Sequence, residues 1–322
     1  MKNLSFKKIE KIISKAKRIL AVTHQGPDGD AIGSLAAFGF YLKKIKKPHY
    51  LLCVSGVPES LKFIAGSSQI KSKHPKIRYN LIVGLDYGTK NQLGLENYLK
   101  KYLEIPILVF DHHLMSSGQD GNFGVINPKY ASTTELLYDY FNAIKFKIDT
   151  KIAHALIVGI LSDTGFFKYI NDAKPMETVV RLIKQFKIKL AGIDNVLNGQ
   201  IKIAAMKLSG AILNRSQYNH KDDFVYSWLK RKELNKHHLI ADDISNVVEQ
   251  LRNLKEGRFS LFLIEKSQGK IRGMLRSRPD KKFNVAELAE KIGGGGHKYA
   301  AGFRCKGTID STLKLVAKYA KR

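Results

Sequence analysis

The chain has 322 residues, 44% of them hydrophobic, and a mean hydropathy of -0.22, enough for two globular domains, and no apolar run approaches the roughly 20 residues that span a bilayer. Its 55 Lys and Arg against 28 Asp and Glu give a formal net charge of +27; this favours anionic ligands, but the lysines are scattered along the chain, so charge alone goes no further. The two cysteines, Cys53 and Cys305, lie far apart, which suits a reducing cytoplasm and excludes a disulfide framework or a zinc ribbon.

The opening segment, MKNLSFKKIEKIISKAKRIL, repeats Ile, Leu and Phe at helical spacing without a continuous apolar core or cleavage site. An amphipathic helix is expected there, not a signal peptide. RILAVTH (18–24) reads as a strand and 30–46 as a helix, and apolar runs recur at 49–54, 80–86 and 105–111. Near-continuous apolar strands separated by helices predict an α/β domain over 1–188, its sheet mainly parallel and covered on both faces. Further helices are expected at 133–146, 150–162 and 173–187, and a polar, glycine-containing linker at 189–200. A smaller α/β domain is expected over 201–322. It begins with a helix near 200–217, a strand at 223–229 and a helix near 242–254. A hairpin turning at Ser267–Gly269 and a short helix at 284–291 then lead into GGGGHKYAAGFRC.

The acidic residues fall in a pattern. AVTHQGPDGD, IVGLDYG, LVFDHH and IVGILSDTG each run from an apolar segment into Asp, with His in two of the four. Parallel strands align their carboxyl ends along one edge, where open α/β folds bind ligands. Asp86 and Asp111 are expected to end two strands, and His24 to end the first and project Asp28 and Asp30 from its loop. Asp163 follows an apolar helix. Carboxylates crowded in this way repel one another unless a cation neutralises them. Oxygen and imidazole donors suit Mn²⁺, Mg²⁺ or Zn²⁺. A calcium loop starting at Asp28 fails, because Ile32 and Gly39 stand where its fifth and twelfth positions need oxygen.

HQGPDGDAIGS, GLDYG, DHH (111–113) and SDTG (162–165) resemble the four phosphoesterase motifs of the DHH superfamily. GGGGHKYAAGF (293–303), with RSR (276–278) upstream, resembles the glycine-rich associated domain of its first subfamily. The motifs span residues 22–303, and their order and the chain length resemble the short enzymes that degrade very small RNAs and dephosphorylate 3'-phosphoadenosine 5'-phosphate. The resemblance implies two Mn²⁺ ions, with Mg²⁺ or Co²⁺ as substitutes. One would lie on His24, Asp28 and Asp86, the other on Asp30, Asp86, His112 and Asp163. It implies that Asp111 orients an imidazole from behind the ligands, and that His113 faces the substrate phosphate or protonates the leaving oxygen. Water activated between the ions would attack phosphorus.

Ser132 and Glu135 form a capping-box pattern, and a helix N-terminus offers N–H groups to anions. In the resembled family this segment lies near the substrate phosphate, which places Ser132 and Thr133 there. The glycines Gly294, Gly295 and Gly296 let a ligand approach backbone N–H groups, and His297 and Arg276 could grip a second phosphate. The resemblance supports both roles and puts the active site in the cleft between the domains. Short RNA oligonucleotides or nucleotide bisphosphates are the expected substrates, in the cytoplasm and with no membrane partner; a homodimer is left open. His154 reads as a core residue, and His237 and His238 as helix flanks. Relatives often carry Arg where Gln92 stands here, a departure on the substrate side. Alternatives are a linear-dinucleotide phosphodiesterase, an inorganic pyrophosphatase or a single-strand exonuclease of the same superfamily, or a non-enzymatic RNA-binding protein.

Overall fold

The computed structural model describes residues 2–102, 104–113, 123–170, 172–197, 202–244, 246–267 and 269–321. The chain divides into two compact units, Met1–Gly199 and Gln200–Arg322.

The first unit runs β1 (Lys2–Asn3), α1 (Phe6–Lys15), β2 (Ile19–Val22), α2 (Gly29–Lys44), β3 (His49–Leu52), β4 (Leu81–Leu85), α3 (Glu96–Lys101), β5 (Ile107–Asp111), β6 (Phe123–Ile126), α4 (Thr133–Ala143), α5 (Thr150–Asp163), α6 (Lys174–Phe186) and α7 (Leu190–Leu197). Its six strands lie in the order β1-β6-β5-β4-β2-β3, every pair parallel. Successive strand residues face opposite sides. Ile19 and Ala21 of β2 therefore join the layer under α1, α2, α4 and α5, while Leu20 and Val22 join a second layer with Tyr87, Leu93 and Tyr98.

Helices α2 and α5 are buried nearly all round, which explains their apolar sequences. Glycines let them touch: a Cβ on Gly33 would lie 2.6 Å from the Ala155 carbonyl oxygen, and one on Gly29 2.5 Å from Ser162 Cβ. The start of α2 is thereby pressed against the end of α5. At the other side of this layer, Tyr41 and Tyr140 both donate to Glu10 Oε2 at 2.5 Å, tying α1 to α2 and α4.

The second unit runs α8 (Ile203–Asn214), β7 (Gln217–Asn219), β8 (Phe224–Leu229), α9 (Arg231–Lys236), α10 (Val247–Arg252), β9 (Phe259–Ser267), β10 (Lys270–Ser277), α11 (Val285–Glu290), β11 (Gly295–His297), β12 (Ala300–Lys306) and α12 (Ile309–Ala320). Its sheet order is β11-β12-β10-β9-β8-β7, antiparallel except for the parallel pair β8–β9. Phe262 and Ile264 of β9 pack with α8 and α10, and Leu261 and Leu263 with α11 and α12.

One expectation changes. The segment read as a linker is helical over Leu190–Leu197, because Ile193 is buried in the first unit's core and Leu190 packs beside it; residues 198–200 lie outside the described residues. Within the glycine run, Gly295, Gly296 and His297 pair with Gly302, Ala301 and Ala300 as a strand. Among the described residues, no helix is long and apolar enough to cross a membrane.

Candidate metal centre

The carboxyl ends of the first unit's strands carry the predicted residues. His24 stands two residues beyond β2, Asp86 follows β4 directly, Asp111 is the last residue of β5, and Asp163 is the last residue of α5. Asp86 takes a left-handed turn, φ 53°, as the chain leaves the sheet. Asp28 caps α2, its Oδ1 accepting from the N–H groups of Asp30 and Ala31 at 3.0 Å each; the charge is also well placed against the helix dipole. The cap fixes the loop that carries both acids.

These side chains converge. Potential ligand atoms lie within 4.8 Å of one another in three groups: His24, Asp28 and Asp86; Asp30, His112 and Asp163; and Asp86, His112 and His113. Asp86 belongs to two of them. His24 Nε2 is 3.9 Å from Asp86 Oδ2. His112 Nε2 is 3.1 Å from Asp163 Oδ2 and 3.6 Å from Asp86 Oδ1. The opposite nitrogen, Nδ1, donates to the Tyr130 carbonyl at 3.3 Å, which turns Nε2 toward the carboxylates. Asp111 stands behind this cluster. Its Oδ1 accepts from His113 N–H at 3.0 Å and from His113 Nδ1 at 2.8 Å, and its Oδ2 accepts from the N–H groups of Tyr87 and Gly88 at 3.2 and 3.0 Å.

The electrostatics are those of a site that wants a cation. Burial pushes the Asp30 carboxyl up to about 7, with the Asp163 charge adding to it. Burial, then Asp30 and Asp28, raise Asp86 well above the usual carboxylate range. Burial acts downward on His112, but Asp163, Asp86 and Asp30 outweigh it and hold the imidazole well above its ordinary value. Asp111 goes the other way: burial acts upward, yet the hydrogen bonds and charge of His113 hold it at about 2. Asp30 and Asp86 cling to protons because their charges are crowded and dry, and His112 because carboxylates surround it. Divalent cations would replace those protons, and a donor set of oxygen and imidazole without thiolate fits such ions.

The predicted substrate contacts are placed differently. Ser132 and Thr133 are fully buried. Ser132 Oγ accepts from Glu135 N–H at 3.0 Å, the expected cap. The next N–H groups, however, point at Asp30: Thr133 N–H donates to Oδ2 at 2.6 Å and Thr134 N–H to Oδ1 at 2.9 Å. Thr134 was not singled out by the sequence, nor was the Tyr130 carbonyl. The capping-box pattern and the family resemblance marked the segment, but as a phosphate contact. Gln92 turns its Oε1 back on its own loop and accepts from Thr89 N–H at 3.0 Å.

In the second unit, Arg276 Nε is paired with Glu249 of α10. Gly294 has no room for a side chain, a Cβ there lying 2.1 Å from the Gly302 carbonyl oxygen, whereas Gly295 faces open space. The side chain of His297 lies outside the described residues. His154 is half-buried in α5, its ring edge-on to Phe63 at 6.0 Å.

Comparison with known proteins matches this architecture. The N-terminal domain of the DHH family matches residues 18–160, and the DHHA1 domain matches residues 221–322. A curated protein of Mycoplasma genitalium, named bifunctional oligoribonuclease and PAP phosphatase NrnA, is 26% identical over 94% of this chain and 93% of its own. The Bacillus subtilis protein of the same name is 24% identical over 90% of each. Among solved structures, an exopolyphosphatase-related protein from Bacteroides fragilis superposes with a TM-score of 0.86, covering 98% of this chain and 95% of that one at 24% identity. RecJ from Thermus thermophilus, solved in complex with Mn²⁺, aligns with a TM-score of 0.53 at 14% identity, over 98% of this chain and 54% of its own. With both domains in order and the motif residues gathered at one sheet edge, this chain belongs to the DHH family of phosphoesterases, carrying the DHH N-terminal domain and the DHHA1 domain.

Proposed function

We propose that this phosphoesterase cleaves short oligoribonucleotides to mononucleotides and removes a phosphate from 3'-phosphoadenosine 5'-phosphate. The observation that carries the reading is the convergence of three His and Asp groups, two of them sharing Asp86, at the carboxyl edge of the parallel sheet. The names of relatives aligned over nine-tenths of both chains support the substrate class. Mn²⁺ is the proposed complement, one ion on His24, Asp28 and Asp86 and a second on Asp30, Asp86, His112 and Asp163, with Mg²⁺ or Co²⁺ as substitutes. When bound, the ions supply an activated water and a positive field for the phosphoryl oxygens.

The chain's own residues do the rest. A carboxylate can only accept, so the 2.8 Å contact fixes the proton of His113 on Nδ1, toward Asp111. Nε2 is then the nitrogen that exchanges a proton, and it gives one to the leaving oxygen as the P–O bond breaks. Asp111, held low by that pair, keeps the imidazole basic and oriented. Arg276, Gly294, Gly295, Gly296 and His297 are proposed to grip a second phosphate, which requires Arg276 to exchange Glu249 for substrate. The proposed location is the cytoplasm.

The purified chain, loaded with Mn²⁺, Mg²⁺ or Co²⁺, should be offered di- to pentanucleotides, 3'-phosphoadenosine 5'-phosphate, linear dinucleotides and pyrophosphate, with products timed by chromatography. Metal-dependent release of mononucleotides and of adenosine monophosphate is expected, and Asp86→Ala should abolish it. Full activity in Asp86→Ala would sink the shared-carboxylate assignment. RNA binding with a steep salt slope and no product would point instead to a binding protein.

A further inference from the structure

We infer that Thr133 and Thr134, at the start of α4, are positioning residues that hold two metal-binding carboxylates in ligand geometry, and that the anion at this helix N-terminus is the protein's own Asp30 and not the substrate's phosphate. The inference rests on the metal-binding reading above and assigns these residues a task different from the phosphate contact expected from the sequence.

Asp30 is fully buried and takes three short hydrogen bonds from two consecutive residues. Thr133 N–H reaches Oδ2 at 2.6 Å, Thr134 N–H reaches Oδ1 at 2.9 Å, and Thr134 Oγ1–H reaches Oδ1 at 2.6 Å. The hydroxyl of Thr133 donates to Asp86 Oδ1 at 3.1 Å. One threonine therefore spans both carboxylates. The N–H groups that follow Thr134 are taken as well: Glu135 N–H goes to Ser132 Oγ at 3.0 Å and Leu136 N–H to the Ser132 carbonyl oxygen at 3.2 Å. A substrate phosphate could take the N–H groups of Thr133 and Thr134 only by expelling Asp30.

The arrangement also selects how Asp30 binds. A carboxylate offers about four lone-pair directions, and the three donors use two on Oδ1 and one on Oδ2. The remaining direction lies on Oδ2, which makes Asp30 a one-oxygen ligand of fixed orientation. The helix dipole and three donors favour the ionised form that a cation needs, against the burial that opposes it. Thr133 sets the rotamer of Asp86 against that of Asp30. Together the threonines fix the spacing of two carboxylates that would otherwise swing apart by repulsion.

Mn²⁺ titration calorimetry without substrate tests this on Thr133→Val and Thr134→Val, with Thr133→Ser and Thr134→Ser as hydroxyl-retaining partners and metal-free melting curves to check folding. Outer partners of metal ligands typically contribute about 10–100-fold in affinity. Each valine variant should weaken Mn²⁺ binding by that factor, the serines should restore it, and at saturating Mn²⁺ KM for dinucleotides should stay at the wild-type value. Unchanged Mn²⁺ affinity with a raised KM would overturn the inference and return these residues to the substrate. A wild-type chain that takes up no Mn²⁺ defeats the metal reading itself, and so both proposals. If a valine variant does not fold, alanine at the same position, Thr133→Ala or Thr134→Ala, removes the same hydroxyl with less bulk and is read in the same way.

Discussion

Gly159, in the middle of α5, lies against the most constrained contact of the site. A Cβ added there would stand 2.3 Å from Thr134 Cγ2, 2.4 Å from Thr134 Oγ1 and 2.7 Å from Asp30 Oδ1. These separations are too short for any non-bonded pair, so in Gly159→Ala the Thr134 side chain must rotate away or α5 must retreat from α2. Retreat would give up the close packing of α5 on Gly29 and Gly33 of α2, so Thr134 is expected to yield and to lose its bond to Asp30. Alanine gains about 1 kcal/mol of helix propensity over glycine. Overpacking costs roughly 1–3 kcal/mol, and a hydrogen bond lost to a charged group roughly 1.5–3 kcal/mol. The balance is a destabilisation of about 3 kcal/mol, a fall of about 6–12 °C in melting temperature for a unit of this size. Gly192, in α7, has nothing within 4 Å of where a Cβ would stand, and Gly192→Ala should hold or raise the melting temperature. Differential scanning calorimetry of both variants, with Mn²⁺ titrated into each, decides the matter. Gly159→Ala melting at or above wild type with full Mn²⁺ affinity would refute the packing argument.

Three further outcomes are expected. For Asp30, whose folded value is raised to about 7 from 3.8, the stabilising contribution is fully present below pH 3.8 and lost as pH rises through about 7; His112, also raised, loses its contribution as pH rises through its folded value. The metal-free chain should therefore gain melting temperature between pH 8 and 6, while Mn²⁺ binds more tightly toward pH 8 with net proton release; calorimetry in two buffers of different ionisation enthalpy reads it, and pH-independent binding counts against it. Glu10→Ala leaves the Tyr41 and Tyr140 hydroxyls only each other as partners, 3.1 Å apart, so that one of the two O–H donors loses its acceptor; this should cost about 1–3 kcal/mol in urea unfolding, while leaving Mn²⁺ affinity intact, and a loss under about 0.5 kcal/mol would show that the network is not stabilising. Gly295→Ala meets open space and Gly294→Ala meets backbone, so the first should keep its melting temperature and raise KM for dinucleotides, and the second should destabilise its unit; unchanged KM in Gly295→Ala removes that glycine from the substrate grip.

Much of the fold was legible because its signals are local. Four apolar runs became strands β2, β3, β4 and β5, since a strand buried on both faces must be apolar throughout. The all-apolar helices α2 and α5 were visible for the same reason. The expected linker hid α7, because Gly192 and Asp194 suggest a loop when read locally, while the burial of Ile193 that makes the helix worthwhile depends on residues far away in sequence. Strand β6 was missed too: four residues, FGVI, carry little pattern, and pairing with β5 on one side and β1 on the other is what makes them a strand.

The site divides along the same line. Ligand-type residues could be recognised because strand ends in a parallel sheet meet at one edge, so a motif at each end implies proximity without any knowledge of the contacts. The residues that orient those ligands could not be recognised in this way. Thr133 and Thr134 reach Asp30 across 103 and 104 positions of sequence, and nothing in STTE distinguishes a helix that awaits a phosphate from one already holding a carboxylate. The capping box correctly located donors in space but not their partner. That partner follows from helix packing: the glycines of α2 and α5 bring the two helices close enough to press Asp30 under α4, and once a fully buried carboxylate lies there, the nearest unpaired N–H groups must turn to it, because leaving either uncompensated would cost more than the fold can spare.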